Sequence, residues 1–221
     1  KLGRSLKEAR MSAGEEARLR LEKLDSPWTM ERLKEFIKKF LKKRAVVVIS
    51  NREPYIHTKK GNKISYFLPA SGMVTAVEPL MQACGGTWIA HGSGDADSFV
   101  VDKHDHLRVP PDEPTYTLRR TWLSKEEEQG YYYGFCNEGL WPLCHIAHTR
   151  PIFRQEDWDE YKRVNGKFTQ TTLQEIKHVR HPILLAQDFH FAMLPRMIKK
   201  SRADDLIALF WHIPWPNPEV F

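Results

Sequence analysis

The segment that most restricts the fold is Ala45-Val46-Val47-Val48-Ile49, a run of mostly β-branched residues with no polar interruption. Branching at Cβ suits a pleated strand better than a helix. Successive strand side chains point to opposite faces, so a run without alternation belongs to a strand buried on both faces. That selects a parallel sheet covered by helices on its two sides. The remaining chain supplies matching pieces. Met73–Cys84 reads as a helix with Val77 and Leu80 on the side of Val74, closed by Gly85-Gly86. Thr87–Ala90 reads as a short strand. Residues 92–118, rich in Asp, His and Pro, read as loop or irregular hairpin. Trp158, Tyr161, Asn165, Phe168 and Ile176 mark a long helix after Glu156-Asp157. Residues 183–186 read as a strand, 191–200 as a helix and 206–211 as a strand. Strands alternating with helices predict an α/β domain with right-handed crossovers.

Residues 1–44 have a different character. A weak apolar stripe (Leu6, Ala9, Ala13, Ala17, Leu21, Leu24) predicts a helix over 1–24 that packs on the body or on a second copy. Asp25-Ser26-Pro27 predicts a stop and restart, with Ser26 as N-cap and Pro27 at the first helical position. The second helix carries Met30, Leu33, Phe36, Ile37, Phe40 and Leu41 on one side and lysines on the other. Much of the net charge of +6 lies in this extension, ending in Lys38-Lys39-Phe40-Leu41-Lys42-Lys43-Arg44. A basic helix face can bind phosphate backbones, but it is more commonly a solvated surface. Residues 45–221 are closer to neutral and contain no zinc-finger or RNP-like pattern, so no nucleic-acid partner is expected. No apolar run approaches the roughly 18–20 residues of a membrane span. The charged, Ala/Glu/Arg-rich start has no apolar h-region, so no secretory signal is expected. The three cysteines, Cys84, Cys136 and Cys144, form no C-x-x-C pair. Their odd count predicts reduced thiols in a cytoplasmic protein. The apolar ending, Ile213-Pro214-Trp215-Pro216-Asn217-Pro218-Glu219-Val220-Phe221, leads us to expect a fragment.

In open α/β sheets, ligands gather at the carboxyl ends of the strands, and three polar clusters follow the expected strands. Ser50-Asn51-Arg52-Glu53-Pro54 presents a guanidinium, suited to a phosphate, a carboxylate or a plain surface ion pair. Gln187-Asp188-Phe189-His190 offers groups to orient a hydroxyl or move a proton; Asp188 equally reads as a helix cap. His212 opens a proline-stiffened loop. Ala70-Ser71-Gly72-Met73 is a small-residue turn into a helix, a weak anion-binding signal. Tyr131-Tyr132-Tyr133 and Gly139-Leu140-Trp141-Pro142-Leu143 read either as core or as a sugar-stacking platform. His104-Asp105-His106 has no known metal-site spacing, so no metal is expected.

The order of these motifs carries more weight than any one of them. Arg52 with its neighbours, the small-residue turn, Tyr-Tyr…Gly-Leu-Trp-Pro-Leu-x-His, Trp158-x-x-Tyr161-x-x-x-Asn165, Gln187-Asp-Phe-His190 and His212-Ile-Pro-Trp-Pro occur in sequence. Together, from about residue 45 to 221, they resemble the N-terminal half of the trehalose-6-phosphate synthases and relatives in retaining glycosyltransferase family 20. The resemblance implies a Rossmann-like N-terminal, acceptor-binding half of a GT-B fold at 45–221, preceded by the helical extension at 1–44. The nucleotide-sugar-binding C-terminal domain would lie outside this chain. It implies glucose transfer from a nucleotide-glucose donor to a sugar-phosphate acceptor with retention, without metal or other cofactor.

Carried over by motif, Arg52 matches the arginine that grips the acceptor phosphate. Tyr132 and Trp141 match aromatic residues lining the acceptor sugar, and Asp188 and His212 match the polar pair at the reacting sugars. Gly72, with Ser71, matches the loop near the donor phosphates. Ser71-Gly72 stands where the family usually has two glycines. His91 replaces a tryptophan that borders the acceptor. The resemblance implies glucose 6-phosphate as the acceptor, giving trehalose 6-phosphate, and the departure at His91 makes glycerol 3-phosphate the alternative. A non-catalytic sugar-phosphate sensor is a further reading, and a homo-oligomer through the N-terminal helices is possible.

Overall fold

A computed structural model describes residues 28–42 and 44–220. The helix expected over 1–24 and the Ser26-Pro27 start signal lie outside these residues. Helix α1 (Met30–Phe40) begins one turn later than that signal would place it, with Thr29 as the N-cap. Strand β1 (Val46–Ser50) is buried along its whole length. A hairpin follows, β2 (Ile56–Lys60) and β3 (Lys63–Phe67), turning at Gly61 with φ +60°. Helix α2 (Gly72–Cys84) ends on Gly85, which adopts φ +69°. Strand β4 (Thr87–His91) comes next.

The stretch expected to be loop or irregular hairpin is more ordered than that. Strands β5 (His106–Val109) and β6 (Tyr116–Thr121) pair antiparallel, and β6 pairs parallel with β4, which makes both part of the main sheet. After α3 (Lys125–Glu128), residues Gln129–Leu140 form a wide π-type helix that runs into α4 (Trp141–His145). Helix α5 spans Gln155–Glu175 and strand β7 spans Ile183–Gln187. The helix expected over 191–200 is divided, with a 3-10 turn at Phe189–Phe191 and α6 at Leu194–Lys199. Strand β8 is Leu206–Phe210.

The six-stranded sheet runs β5-β6-β4-β1-β7-β8, and every pairing except β5 with β6 is parallel. The uninterrupted β1 run divides between two cores. Val47 and Ile49 pack with Leu184, Ala186 and the α5 residues Tyr161, Val164 and Phe168. Val46 and Val48 pack on the opposite face with Trp88, Leu118 and the α2 residues Val74 and Met81. From β1 the chain moves first toward β4 and β6, then returns to place β7 on the other side of β1. The order therefore reverses at β1 and β7, and their carboxyl ends flank a crevice. Cys84, Cys136 and Cys144 are all unpaired. Among the described residues no helix is long and apolar enough to cross a membrane.

Candidate active site

The crevice at the β1/β7 switch holds a cleft of about 250 Å³. Its walls come from the ends of β1 (Ser50, Asn51, Arg52) and β7 (Gln187, Asp188, His190), the start of α2 (Ser71, Met73), Tyr132, and His212 after β8. The loop after β1 folds back on itself. Ser50 Oγ donates to the Arg52 carbonyl at 2.6 Å and accepts from Trp88 Nε1 at 2.7 Å. The Arg52 residue is left exposed, and its guanidinium has no ion pair or side-chain hydrogen bond among the described residues. An unpaired guanidinium beside a cleft does not fit the surface ion-pair reading. It fits an anion receptor.

A fully buried arginine braces this loop from behind. Arg120 donates through Nε to Glu53 Oε2 at 2.8 Å and to the carbonyls of Asp97 and Tyr55 at 2.9 and 3.1 Å. It also pairs with Asp97 Oδ1 at 2.7 Å. Glu53 in turn accepts from the Ser93 amide at 2.9 Å. Burial, and then the adjacent Asp97, push the Glu53 carboxyl upward. Burial opposes ionisation of Asp97 too, but hydrogen bonds from His57 and the Arg120 charge outweigh it and hold Asp97 low. Sequence reasoning missed this cluster, because Arg120 lies 23 to 67 residues from its partners in the chain.

Across the cleft, Asp188 has φ +76° and ψ 170°, a region that favours glycine. Its Oδ1 accepts from the Phe189 amide at 2.9 Å and the His212 amide at 3.2 Å. Burial raises the Asp188 carboxyl above the usual range in spite of those two donors. His212 Nε2 lies 3.0 Å from Gln187 Oε1. An amide oxygen can only accept there, so Nε2 carries the proton and Nδ1 is left as the basic nitrogen. His190 lies flat against Tyr132, with ring centroids 5.4 Å apart and planes 11° apart. Burial first, then the Arg52 and His212 charges, push its pKa down to about 3. It is a neutral stacking partner at physiological pH.

This arrangement can hold an anion at Arg52 and orient hydroxyls from Asp188 and His212, with an aromatic wall alongside. The family description of glycosyltransferase family 20 matches residues 43–221. The chain belongs to that family. The trehalose-6-phosphate synthase of Mycolicibacterium vanbaalenii is 33% identical over 176 residues, covering 79% of this chain and 35% of that protein. Among solved structures, the E. coli trehalose-6-phosphate structure bound with UDP-2-fluoro glucose matches with TM-score 0.60 and 27% identity, over 80% of this chain and 35% of that one. The Burkholderia xenovorans alpha,alpha-trehalose-phosphate synthase in complex with glucose-6-phosphate shares the fold, with TM-score 0.58 and 21% identity over 80% of this chain and 35% of that one. The chain therefore spans about a third of the length of the relatives it matches.

The fold brings together some of the residues that the family resemblance singled out and leaves others apart. Arg52, Tyr132, Asp188, His212 and Ser71 line the cleft. Ser71 also caps α2, its Oγ accepting from the Val74 amide at 3.4 Å. Gly72, the first residue of α2, borders open space, with nothing within 4 Å of where a Cβ would stand. Trp141 is 44% exposed and stacks on His145 at 4.0 Å, away from the lining residues. His91 is buried, with Nδ1 3.2 Å from the Thr121 carbonyl, and does not line the cleft. Asn51, Met73, Gln187 and His190 line the cleft but were not among the residues carried over. Among the described residues, no group of three or more His, Cys, Asp or Glu is placed to hold a metal ion.

Proposed function

We propose that residues 45–221 are the acceptor-side, N-terminal half of a retaining glucosyltransferase. The enzyme moves glucose from a nucleotide-glucose to glucose 6-phosphate, giving trehalose 6-phosphate. The observation that carries this reading is the unpaired Arg52 at the end of β1, facing Asp188 and His212 across one cleft. A dianionic phosphate fits a planar fork of donors better than a point charge. With the phosphate at Arg52, the sugar ring lies between Tyr132 and Asp188, whose carboxylate orients hydroxyls. Retention without an enzymic nucleophile calls for same-face displacement, in which the departing phosphate accepts the acceptor proton. The protein then contributes positioning and electrostatic stabilisation. The start of α2 at Ser71 and Gly72 faces the donor phosphates, and the donor itself is held by a second domain. The names of the relatives support the same reaction.

A smaller acceptor, glycerol 3-phosphate, is the second reading, favoured by the position of His91 and Trp141 off the cleft. The test is product analysis by mass spectrometry, with the full-length protein given nucleotide-glucose and each phosphate separately. Trehalose 6-phosphate is the expected product. Glucosylglycerol phosphate alone would move the assignment to the second reading, and no transfer to either would refute both.

A further inference from the structure

Asp188 is held in a backbone conformation that is strained for any residue but glycine, so something must keep the turn from relaxing. The supports come from one face of α5. Tyr161 and Asn165, one helical turn apart and both buried, reach the segment that follows Asp188. Tyr161 donates its hydroxyl proton to the Phe189 carbonyl at 2.6 Å and accepts from the Ala192 amide at 3.0 Å. Asn165 Nδ2 donates to the His190 carbonyl at 3.0 Å and to the Tyr161 carbonyl at 2.9 Å. Both ends of the turn are thereby tied to a rigid helix, and Trp158 stacks on the Tyr161 ring with planes 18° apart. The other contacts of Asp188 come from its own loop and from the β8 end. Its amide donates to the Phe210 carbonyl at 2.6 Å, and the Phe191 amide donates to the Asp188 carbonyl at 3.1 Å.

We propose that Tyr161 and Asn165 are positioning residues. They fix the 188–192 turn so that Asp188 faces the cleft in its strained conformation and His190 stays flat on Tyr132. Neither residue lines the cleft; both act through Asp188 and His190. The Trp158-x-x-Tyr161-x-x-x-Asn165 motif is then a latch for the active-site turn, with Trp158 holding the Tyr161 ring. The inference rests on the glucosyltransferase reading for its catalytic consequence, but not for the latch itself.

The experiment uses the full-length protein and Tyr161→Phe, which keeps the ring and removes the hydroxyl. Amide exchange followed by mass spectrometry should show the 188–192 peptide opening about tenfold or more faster, while the α5 amides are unchanged. In Asp188→Gly, which adopts φ +76° without strain, adding Tyr161→Phe should accelerate exchange much less. In glucosyl transfer, Tyr161→Phe should lower kcat by about 10–100-fold and change the sugar-phosphate KM by less than about threefold, because Arg52 holds the phosphate independently. Unchanged exchange at 188–192, or equal acceleration with Gly at 188, would refute the latch. An equal rise in KM with kcat preserved would refute its role in positioning Asp188. If the wild-type protein transfers no glucose, the functional reading fails, and the exchange results alone decide the latch.

Discussion

Replacing Arg52 with lysine isolates the guanidinium fork from its charge. In the structure Arg52 is exposed, touches no carboxylate among the described residues and borders the cleft. The strand before it is held by core packing, and the loop backbone by Ser50, Glu53 and Arg120. None of these contacts uses the Arg52 side chain. Folding stability should therefore change by no more than about 0.5 kcal/mol, as for surface substitutions generally. Binding of a phosphate is another matter. Lysine keeps the charge but offers no parallel pair of N–H donors. A hydrogen bond to a charged group contributes about 1.5–3 kcal/mol, so losing one corresponds to about 10–150-fold weaker binding.

The assay is calorimetric titration of glucose 6-phosphate and of glycerol 3-phosphate into full-length wild type and Arg52→Lys, with thermal unfolding of both proteins as the control. Loss confined to glucose 6-phosphate supports the trehalose-type acceptor, and loss confined to glycerol 3-phosphate supports the smaller one. If both ligands bind wild type and mutant equally, the phosphate does not sit at Arg52 and the reasoning from the unpaired guanidinium is wrong. A large drop in unfolding temperature would refute the claim that the side chain lies outside the folding energetics.

Other perturbations test other parts of the structure. Arg120→Met leaves Glu53 and Asp97 buried without their counter-charge, and should cost about 3–5 kcal/mol in a denaturant titration; a loss below about 1 kcal/mol would mean that the cluster is not a buried ion network. His190 is neutral when folded, with its pKa near 3, but titrates near 6.5 when unfolded. Its contribution to stability is therefore complete above about pH 6.5 and is lost as pH falls toward 3, by up to about 1.4 kcal/mol per unit, and His190→Phe should flatten the stability profile over that range. In the proposed reaction Asp188 orients hydroxyls as a carboxylate, and burial raises its carboxyl. The acid limb of kcat should thus lie above that of an ordinary carboxylate, and Asp188→Asn should remove it along with most of the activity. Purified chain 1–221, which spans about a third of the length of its relatives, should bind sugar phosphate but transfer no glucose; turnover by it would overturn the assignment of donor binding to a second domain.

What could be read from the sequence follows from where burial leaves a periodic trace. β1 was legible because both of its faces are covered, so the run at 46–49 has no polar residue. The β2–β3 hairpin left no such trace: every residue of β3 is exposed, including Ile64, Tyr66 and Phe67. The start of β6 lies in the stretch 92–118, whose Asp, His and Pro content reads as loop rather than strand. Arg120 is fully buried, and its partners Glu53 and Asp97 come from two distant loops that only the folded sheet brings together. His91 and Trp141 show a related limit. A motif fixes a residue's place in the chain, but the direction of its side chain depends on strand parity and helix geometry. In β4, His91 has the parity of Ile89 and meets the Thr121 carbonyl of the neighbouring strand. Trp141 opens α4, where its ring packs on His145 one turn later.

Strain at the site was also invisible in advance, because Gln187-Asp188-Phe189-His190 contains no glycine to announce a positive φ. Some departures from ordinary local structure border the cleft, although others lie elsewhere in the fold. Asp188 occupies a glycine-type conformation, and among the described residues Arg52 has no counter-ion and the buried Asn51 Oδ1 and His190 Nε2 have no hydrogen-bond partner. All four residues line the same 250 Å³ space. A glycine-type backbone conformation in an aspartate costs about 1–3 kcal/mol, and a sequence selected for stability alone would place glycine there. Such costs are tolerated at functional sites when the surrounding packing over-determines them. Here that packing is identifiable: the two-sided core under β1, the Arg120 cluster behind Arg52, and the α5 face under the 188–192 turn. Each supports one wall of the cleft from outside it. A substitution in any of these supports should therefore act on the cleft through loop geometry, whereas one at Arg52 should act through the phosphate contact proposed for it.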